Sequence, residues 1–279
     1  MTSTTTVPAV TLNNGVQMPQ LGFGVFQVPD PETTAAVAAA LDAGYRSIDT
    51  AAIYGNEAGV GRAIAESGLE RDELFVTSKV WNSDQGFDTT LRAFDTSLGK
   101  LGLDRLDLYL IHWPTPERGR YVDTWRALER LLAEGRVRAI GVSNFEPAHL
   151  ERLNAETDVV PAVNQVELHP ALQNRATTAA NARHGIVTEA WSPLAQGAVL
   201  GEASVTSIAA AHGATPAQVV LRWHLQQGRV VIPKSVTPSR ITENFDVFGF
   251  ELSADELAAI DALERDGRTG PHPDEFNAA

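Results

Sequence analysis

The 279-residue sequence contains no cysteine. That excludes disulfide frameworks, thiolate-bound metals and cysteine nucleophiles. Lysine is almost as scarce: only Lys79, Lys100 and Lys234 occur, and the other basic residues are arginines. No run of ~18 apolar residues is present, so nothing is expected to span a membrane. Positive charge is in deficit, with 22 Lys and Arg against 35 Asp and Glu and a formal net charge of −13. Such a chain is poorly suited to holding nucleic acid by neutralising phosphates, and no nucleic-acid partner is expected. The opening segment, Met1 to Val10, lacks the basic and apolar regions of a secretory signal, and the default expectation is a cytoplasmic protein. The seven histidines show no H-E-x-x-H or comparable spacing, so no metal site is expected. Gly22/Gly24 and Gly59/Gly61 do not complete G-x-G-x-x-G, and no G-x-x-x-x-G-K-[ST] occurs.

What is present is an alternation. Short β-type runs fall at 21–26, 46–49, 74–80, 106–112, 137–143, 161–166, 186–191 and 229–233. Several are continuously apolar, as in Leu106-Asp-Leu-Tyr-Leu-Ile111, which suits strands covered on both faces. Helical spacing follows each run, over 35–43, 57–67, 90–101, 122–134, 148–154, 171–184, 216–227 and 240–245. Glycines at 44, 68, 135, 185 and 228 stand where helices should stop. Eight strand–helix repeats define an α/β protein and predict a (β/α)₈ TIM barrel, which typically needs ~250 residues and would take up a single domain over 1–279. The ends are additions. Asn14-Gly15 predicts an N-terminal β-hairpin with a type I′ turn, plugging the barrel. Ser253 and Glu256 predict a capping box opening an extra C-terminal helix over 253–264, and the proline-bearing tail from Gly267 should be irregular.

Barrel enzymes carry their chemistry at the C-terminal ends of the strands. Those positions hold Asp49, Lys79, His112, Ser143, Asn144, Gln165, Trp191 and Lys234, with Tyr54 in the loop after Asp49. Singly, each has a structural explanation: a cap, a core histidine, loop packing, half an ion pair. Convergence on one rim favours a site. A chain that otherwise uses arginine also keeps lysine at 79 and 234, where a compact, pKa-adjustable point charge differs from a planar guanidinium. A separate anion-binding corner is expected at Lys234-Ser235-Val-Thr237-Pro238-Ser-Arg240. Thr237 and Pro238 suit the N-cap and N1 of a helix, whose N-terminus attracts phosphate.

The segments Asp49-Thr-Ala-Ala-Ile-Tyr54-Gly-Asn-Glu57, Thr77-Ser-Lys79-Val-Trp81-Asn and Ile111-His112-Trp-Pro114 resemble the catalytic motifs of the aldo-keto reductase superfamily. Gly141-Val-Ser143-Asn144-Phe, Asn164-Gln165-Val-Glu-Leu-His-Pro170 and Ile232-Pro-Lys234-Ser235-Val resemble its cofactor-side motifs. Within the superfamily the chain is most similar to bacterial 2,5-diketo-D-gluconate reductases. The short loop between Pro114 and Tyr121, Trp191 where many relatives carry Tyr, and Pro271-His-Pro-Asp-Glu275 carry that similarity.

The resemblance implies NADPH-dependent reduction of aldehydes and ketones, including a keto sugar acid. It makes Tyr54 the proton donor, Lys79 the ammonium that lowers the Tyr54 pKa, Asp49 the partner of Lys79, and His112 a neutral donor to the carbonyl oxygen. NADPH would rest on Ser143, Asn144 and Gln165 at the nicotinamide amide, with Trp191 stacked on the ring and Ser192 and Leu194 beside it. Lys234, Ser235 and Arg240 would take the 2′-phosphate, and Glu243 and Asn244 would face the adenine. Phe26, Ile53, Trp81, His112 and Trp113 would line the substrate side. The partner is then a small carbonyl compound, and the protein is expected to be a monomer. Two other functions remain open at this point: an NADPH-binding regulatory subunit without turnover, and a Schiff-base aldolase using Lys79.

Overall fold

A computed structural model of the protein describes residues 7–279, so the first six residues of the opening segment, to which the signal-peptide reading also applies, lie outside the described residues. The chain opens with a hairpin of β1 (Ala9–Thr11) and β2 (Gln17–Pro19). Eight parallel strands follow: β3 (Phe23–Gly24), β4 (Ser47–Asp49), β5 (Phe75–Val80), β6 (Leu106–Ile111), β7 (Val137–Ser143), β8 (Val163–Glu167), β9 (Val187–Trp191) and β10 (Val230–Val231). They are hydrogen-bonded in chain order from β3 to β10. A parallel bridge between Leu21 and Val231, with Gly22 N–H donating to the Val231 carbonyl at 2.8 Å, joins the last strand to the first and closes the barrel.

The buried pattern of the strands has a period-2 explanation. On β6, Leu108 and Leu110 point into the barrel with Phe75, Ala139, Val163 and Val230, whereas Tyr109 and Ile111 join the larger core between strands and helices. Leu12 and Met18 of the hairpin belong to the inner cluster, so the hairpin does plug the N-terminal mouth. Its turn differs from expectation. A type I′ turn needs positive φ at both central residues, and here only Gly15 is left-handed (φ 87°). Leu12 N–H pairs with the Val16 carbonyl at 2.9 Å across a three-residue loop, and Asn13 and Asn14 are used to tie that loop to the Pro161 and Arg138 carbonyls.

The outer layer consists of α1 (Asp30–Ala43), α2 (Glu57–Glu66), α3 (Phe87–Leu101), α4 (Tyr121–Ala133), α5 (Pro147–Glu156), α6 (Arg175–Arg183), α7 (Ala203–His212), α8 (Pro216–Gln226) and α9 (Pro238–Phe245). The added helix α10 (Ala254–Asp261) carries the expected capping box: Glu256 N–H meets Ser253 Oγ at 3.3 Å, and Ser253 N–H meets Glu256 Oε2 at 2.7 Å. Helix α7 was not anticipated. It buries Val205, Ile208 and Ala209 on one side. Helix α6 begins later than expected because His169 and Leu172 form a bridge and Asn174 is left-handed (φ 47°). From Gly267 onward the tail has no helix or strand, as expected. No helix among the described residues is long and apolar enough to cross a membrane, and no group of three or more potential metal ligands occurs among them.

Candidate active site

The C-terminal ends of the strands open into one cleft of about 1010 Å³. Asp49 ends β4, Lys79 lies one residue from the end of β5, and His112 follows β6. Ser143 ends β7, Gln165 sits within β8, and Trp191 ends β9. Tyr54 is placed by a short 3-10 turn, Ala52–Tyr54, and Gly55 leaves that turn with positive φ (69°). The turn is fastened by Asn56, which is fully buried. Its amide donates to the Val25 and Val28 carbonyls at 2.9 Å each and its oxygen accepts from Thr50 Oγ1 at 2.8 Å. Asn56 thus holds the Tyr54 loop against the loop carrying Phe26, whose ring lies 5.1 Å from that of Tyr54. Asn56 lies within the Asp49–Glu57 motif but is not among the site residues expected from the sequence. An asparagine directly before a helix, beside two functional loops, was the available signal.

At the closed end of the cleft, Lys79 Nζ meets Asp49 Oδ1 at 2.6 Å and the Thr50 carbonyl at 2.9 Å. The ammonium stands 5.1 Å from the Tyr54 ring centroid. Burial by itself opposes a charged Lys79, but Asp49, Tyr54 and Glu189 outweigh it, and the ammonium is held to higher pH than usual. Tyr54 departs from expectation. Lys79 does pull its pKa down, but desolvation is larger and Asp49 and Glu189 reinforce it, so the phenol is raised, not lowered. The physical consequence is a tyrosine fully protonated at neutral pH, next to a cation that stabilises the phenolate left when a proton departs. His112 is pushed well below the ordinary histidine value by burial and by the Lys79 charge, which makes it a neutral imidazole. Its ring packs edge-on to Tyr54 at 5.6 Å and to Trp81 at 5.2 Å.

Ser143, Asn144 and Gln165 form a connected floor. Ser143 Oγ donates to the Gln165 carbonyl (2.8 Å), and Asn144 Nδ2 donates to the His112 carbonyl (3.0 Å). Trp191 Nε1 donates to Asn144 Oδ1 at 2.9 Å, so the tryptophan is fixed by a hydrogen bond. Ser192 and Leu194 line the same cleft, in a loop where Ser192, Ala195 and Gln196 all have positive φ. The cleft runs on to Lys234, Ser235, Arg240, Glu243 and Asn244. Thr237 and Pro238 do open α9, although the Thr237 side chain makes no cap; Ser235 Oγ instead accepts the Thr237 N–H at 3.1 Å. Lys234 and Arg240 are exposed, and neither forms an ion pair among the described residues. Glu243 is held by Thr215 Oγ1 at 2.8 Å.

All the sequence-derived residues border this cleft except Lys79, which stands behind Asp49 and Tyr54, fully buried. What sequence reasoning missed is the tail. Thr269, Gly270, Pro271 and Phe276 form one wall. Phe276 packs 4.5 Å from Trp113 and 6.3 Å from Trp81. The tail is anchored by Glu167, which accepts from the Thr269 N–H at 2.7 Å and the Gly270 N–H at 3.0 Å. A Cβ at Gly270 would lie 2.5 Å from Trp191, so only glycine lets the tail pass this close to the indole. Glu167 therefore has a structural role, holding the tail against the barrel rim.

A cleft with a buried lysine–carboxylate–tyrosine cluster at one end and, at the other, two exposed cations without ion-pair partners among the described residues fits a dinucleotide with an added phosphate. The chain belongs to the aldo/keto reductase family, whose profile matches residues 20–265. Among curated relatives it is 56% identical over 268 residues to the glyoxal reductase of Bacillus subtilis (strain 168), covering 96% of each chain. It is 53% identical over 273 residues to the methylglyoxal reductase DkgA of Yersinia pestis, covering 97% of this chain and 98% of that one. Among solved structures, a Gox0644 mutant in complex with NADPH superposes with a TM-score of 0.94 at 50% identity, covering 98% of this chain and 99% of the other.

Proposed function

We propose that the protein uses NADPH to reduce small aldehydes and ketones to alcohols, with Tyr54 as proton donor. The observation that carries this reading is the buried Asp49–Lys79 pair set against a protonated Tyr54 and a neutral His112. NADPH, when bound, supplies the hydride to the carbonyl carbon. The chain supplies the rest. His112 donates to the carbonyl oxygen and steadies its growing negative charge without carrying a charge of its own. Tyr54 gives its hydroxyl proton to that oxygen, the O–H bond of the phenol breaks, and the resulting phenolate is held by Lys79 until solvent returns a proton. Asp49 keeps the ammonium charged and in place. Trp191, tethered to Asn144, offers a flat face for the nicotinamide, and Lys234, Ser235 and Arg240 would take the 2′-phosphate.

Phe26, Ile53, Trp81, Trp113 and Phe276 wall the substrate end, and no arginine or lysine borders the cleft there. That favours small uncharged carbonyls, above all dicarbonyls of the glyoxal and methylglyoxal kind named for the relatives, over a keto sugar acid such as 2,5-diketo-D-gluconate. The aldolase alternative is disfavoured because Lys79 is sealed behind Asp49 and held as an ammonium, whereas Schiff-base formation needs a free amine at the cleft. A cytoplasmic, single-domain monomer completes the proposal. The exposed large apolar residues that bear on the state of association are few: Phe26, Ile53, Phe87, Val160 and Val236, the first two on the cleft rim. The test is loss of NADPH absorbance with glyoxal, methylglyoxal, simple aldehydes and 2,5-diketo-D-gluconate. Turnover strongest with the dicarbonyls is expected. Tight NADPH binding with no turnover across the panel would replace this reading with the regulatory-subunit alternative.

A further inference from the structure

Glu189 is a buried acid that the reduction outlined above leaves without a task. It lies inside the barrel on β9, 1% exposed, directly in register with Gln165 on β8. Its Oε2 accepts from Gln165 Nε2 at 2.8 Å, and its Oε1 is buried with no partner among the described residues. The same Gln165 nitrogen donates to Asp49 Oδ2 at 2.8 Å. An amide nitrogen has two N–H bonds, and both are used by these two carboxyls. The Gln165 amide is therefore turned with its nitrogen inward, leaving Oε1 as the end that meets the cleft.

The titratable groups facing Glu189 are Asp49 from β4, Lys79 from β5 and Tyr54 from the loop after β4. From β10 comes only apolar Val230, its register partner and a member of the inner core. Glu189 forms no ion pair among the described residues, and desolvation together with Asp49 pushes its pKa up to about 8, against the opposing pull of the Gln165 hydrogen bond and Lys79. Near neutrality the group is thus a neutral acid. Once ionised, it adds a second negative charge behind Lys79, and that charge tightens Tyr54's hold on its proton.

We propose that Glu189 is a positioning residue for the reduction: its carboxyl fixes the Gln165 amide with the oxygen toward the nicotinamide carboxamide, and its negative charge, when present, restrains the Tyr54 proton. The inference rests on the reductase reading, and wild-type turnover tests that reading separately.

The decisive variant is Glu189→Gln, which keeps an acceptor for Gln165 and cannot ionise. The first readout needs no cofactor. The folded pKa of Glu189 is raised, so its stabilisation is complete below the ordinary glutamate value of 4.5 and is lost as pH rises through about 8. Thermal unfolding of the free protein should show the variant matching wild type at pH 5 and exceeding it at pH 9. In the second readout, wild-type kcat for reduction should fall above about pH 8, while the variant holds its rate to higher pH. In the third, Glu189→Ala removes the acceptor and should weaken NADPH binding about tenfold, read by tryptophan quenching, with KM for the carbonyl unchanged. A Glu189→Gln protein with wild-type pH dependence in both unfolding and turnover overturns the proposal. A wild type that binds NADPH without turnover overturns the reductase reading, while the unfolding comparison still decides whether Glu189 titrates as stated.

Discussion

The two ends of the cleft are built on opposite electrostatic principles. At the closed end, Asp49, Lys79, Gln165 and Glu189 are buried and already bonded to one another, so charge is held in a fixed geometry out of water. At the open end, Lys234 and Arg240 are exposed and have no ion-pair partner among the described residues. Desolvation makes the first set strongly coupled, so removing one member disturbs all the others. Solvent screens the second set, so each cation acts almost alone and can be lost without harm to the fold. A proton-transfer centre gains from the first arrangement, because its groups do not have to reorganise during reaction. A site that must capture and release an anion gains from the second.

This contrast can be broken most severely at Tyr54. Tyr54→Phe should lower kcat by ~10²–10⁴-fold while leaving NADPH binding intact, as measured by steady-state turnover beside fluorescence titration. Asp49→Ala should cost about 3–5 kcal/mol of stability by stranding the Lys79 ammonium in the interior, and a drop in the urea midpoint would report it. An unchanged midpoint would mean that the closed end is not the coupled unit described. Arg240→Ala should leave stability unaltered and weaken NADPH binding roughly 10–100-fold, the loss shrinking as salt is raised. NADH, which lacks the 2′-phosphate, should be bound equally well by both forms. Acid stability sharpens the contrast further. His112 and His224 are both held well below the ordinary histidine value of 6.5 by burial, so the unfolded chain takes up protons there that the folded chain refuses. Stability should decline as pH falls below 6.5, and His224→Gln should lessen the slope. The smallest effect is expected at the tail. Phe276→Ala should raise KM for the carbonyl a few-fold, with kcat and NADPH affinity near wild type.

Much of this was legible in the sequence because strand periodicity and helix-stop glycines are local signals. Six of the eight barrel strands, β4 to β9, end within one residue of the position at which their β-type runs stop; β3 and β10, each a two-residue ladder, end two residues short of theirs. The site could be assembled on paper because the barrel sends every strand end to one rim. The tail could not be placed. Nothing local in Gly267–Ala279 says that Glu167 will anchor Thr269 and Gly270, or that Phe276 will come to lie beside Trp113. Helix α7 was hidden for a similar reason, since its apolar side is defined by what it packs against.

By itself the sequence determined which residues reach the rim, because alternation along a strand and the parallel order of strands leave each side chain one direction to point. The tertiary structure alone decided how those residues are charged. The Tyr54 pKa rises when Lys79 by itself would lower it, and Glu189 becomes a weak acid, because desolvation depends on the whole enclosing barrel and not on neighbours in the chain.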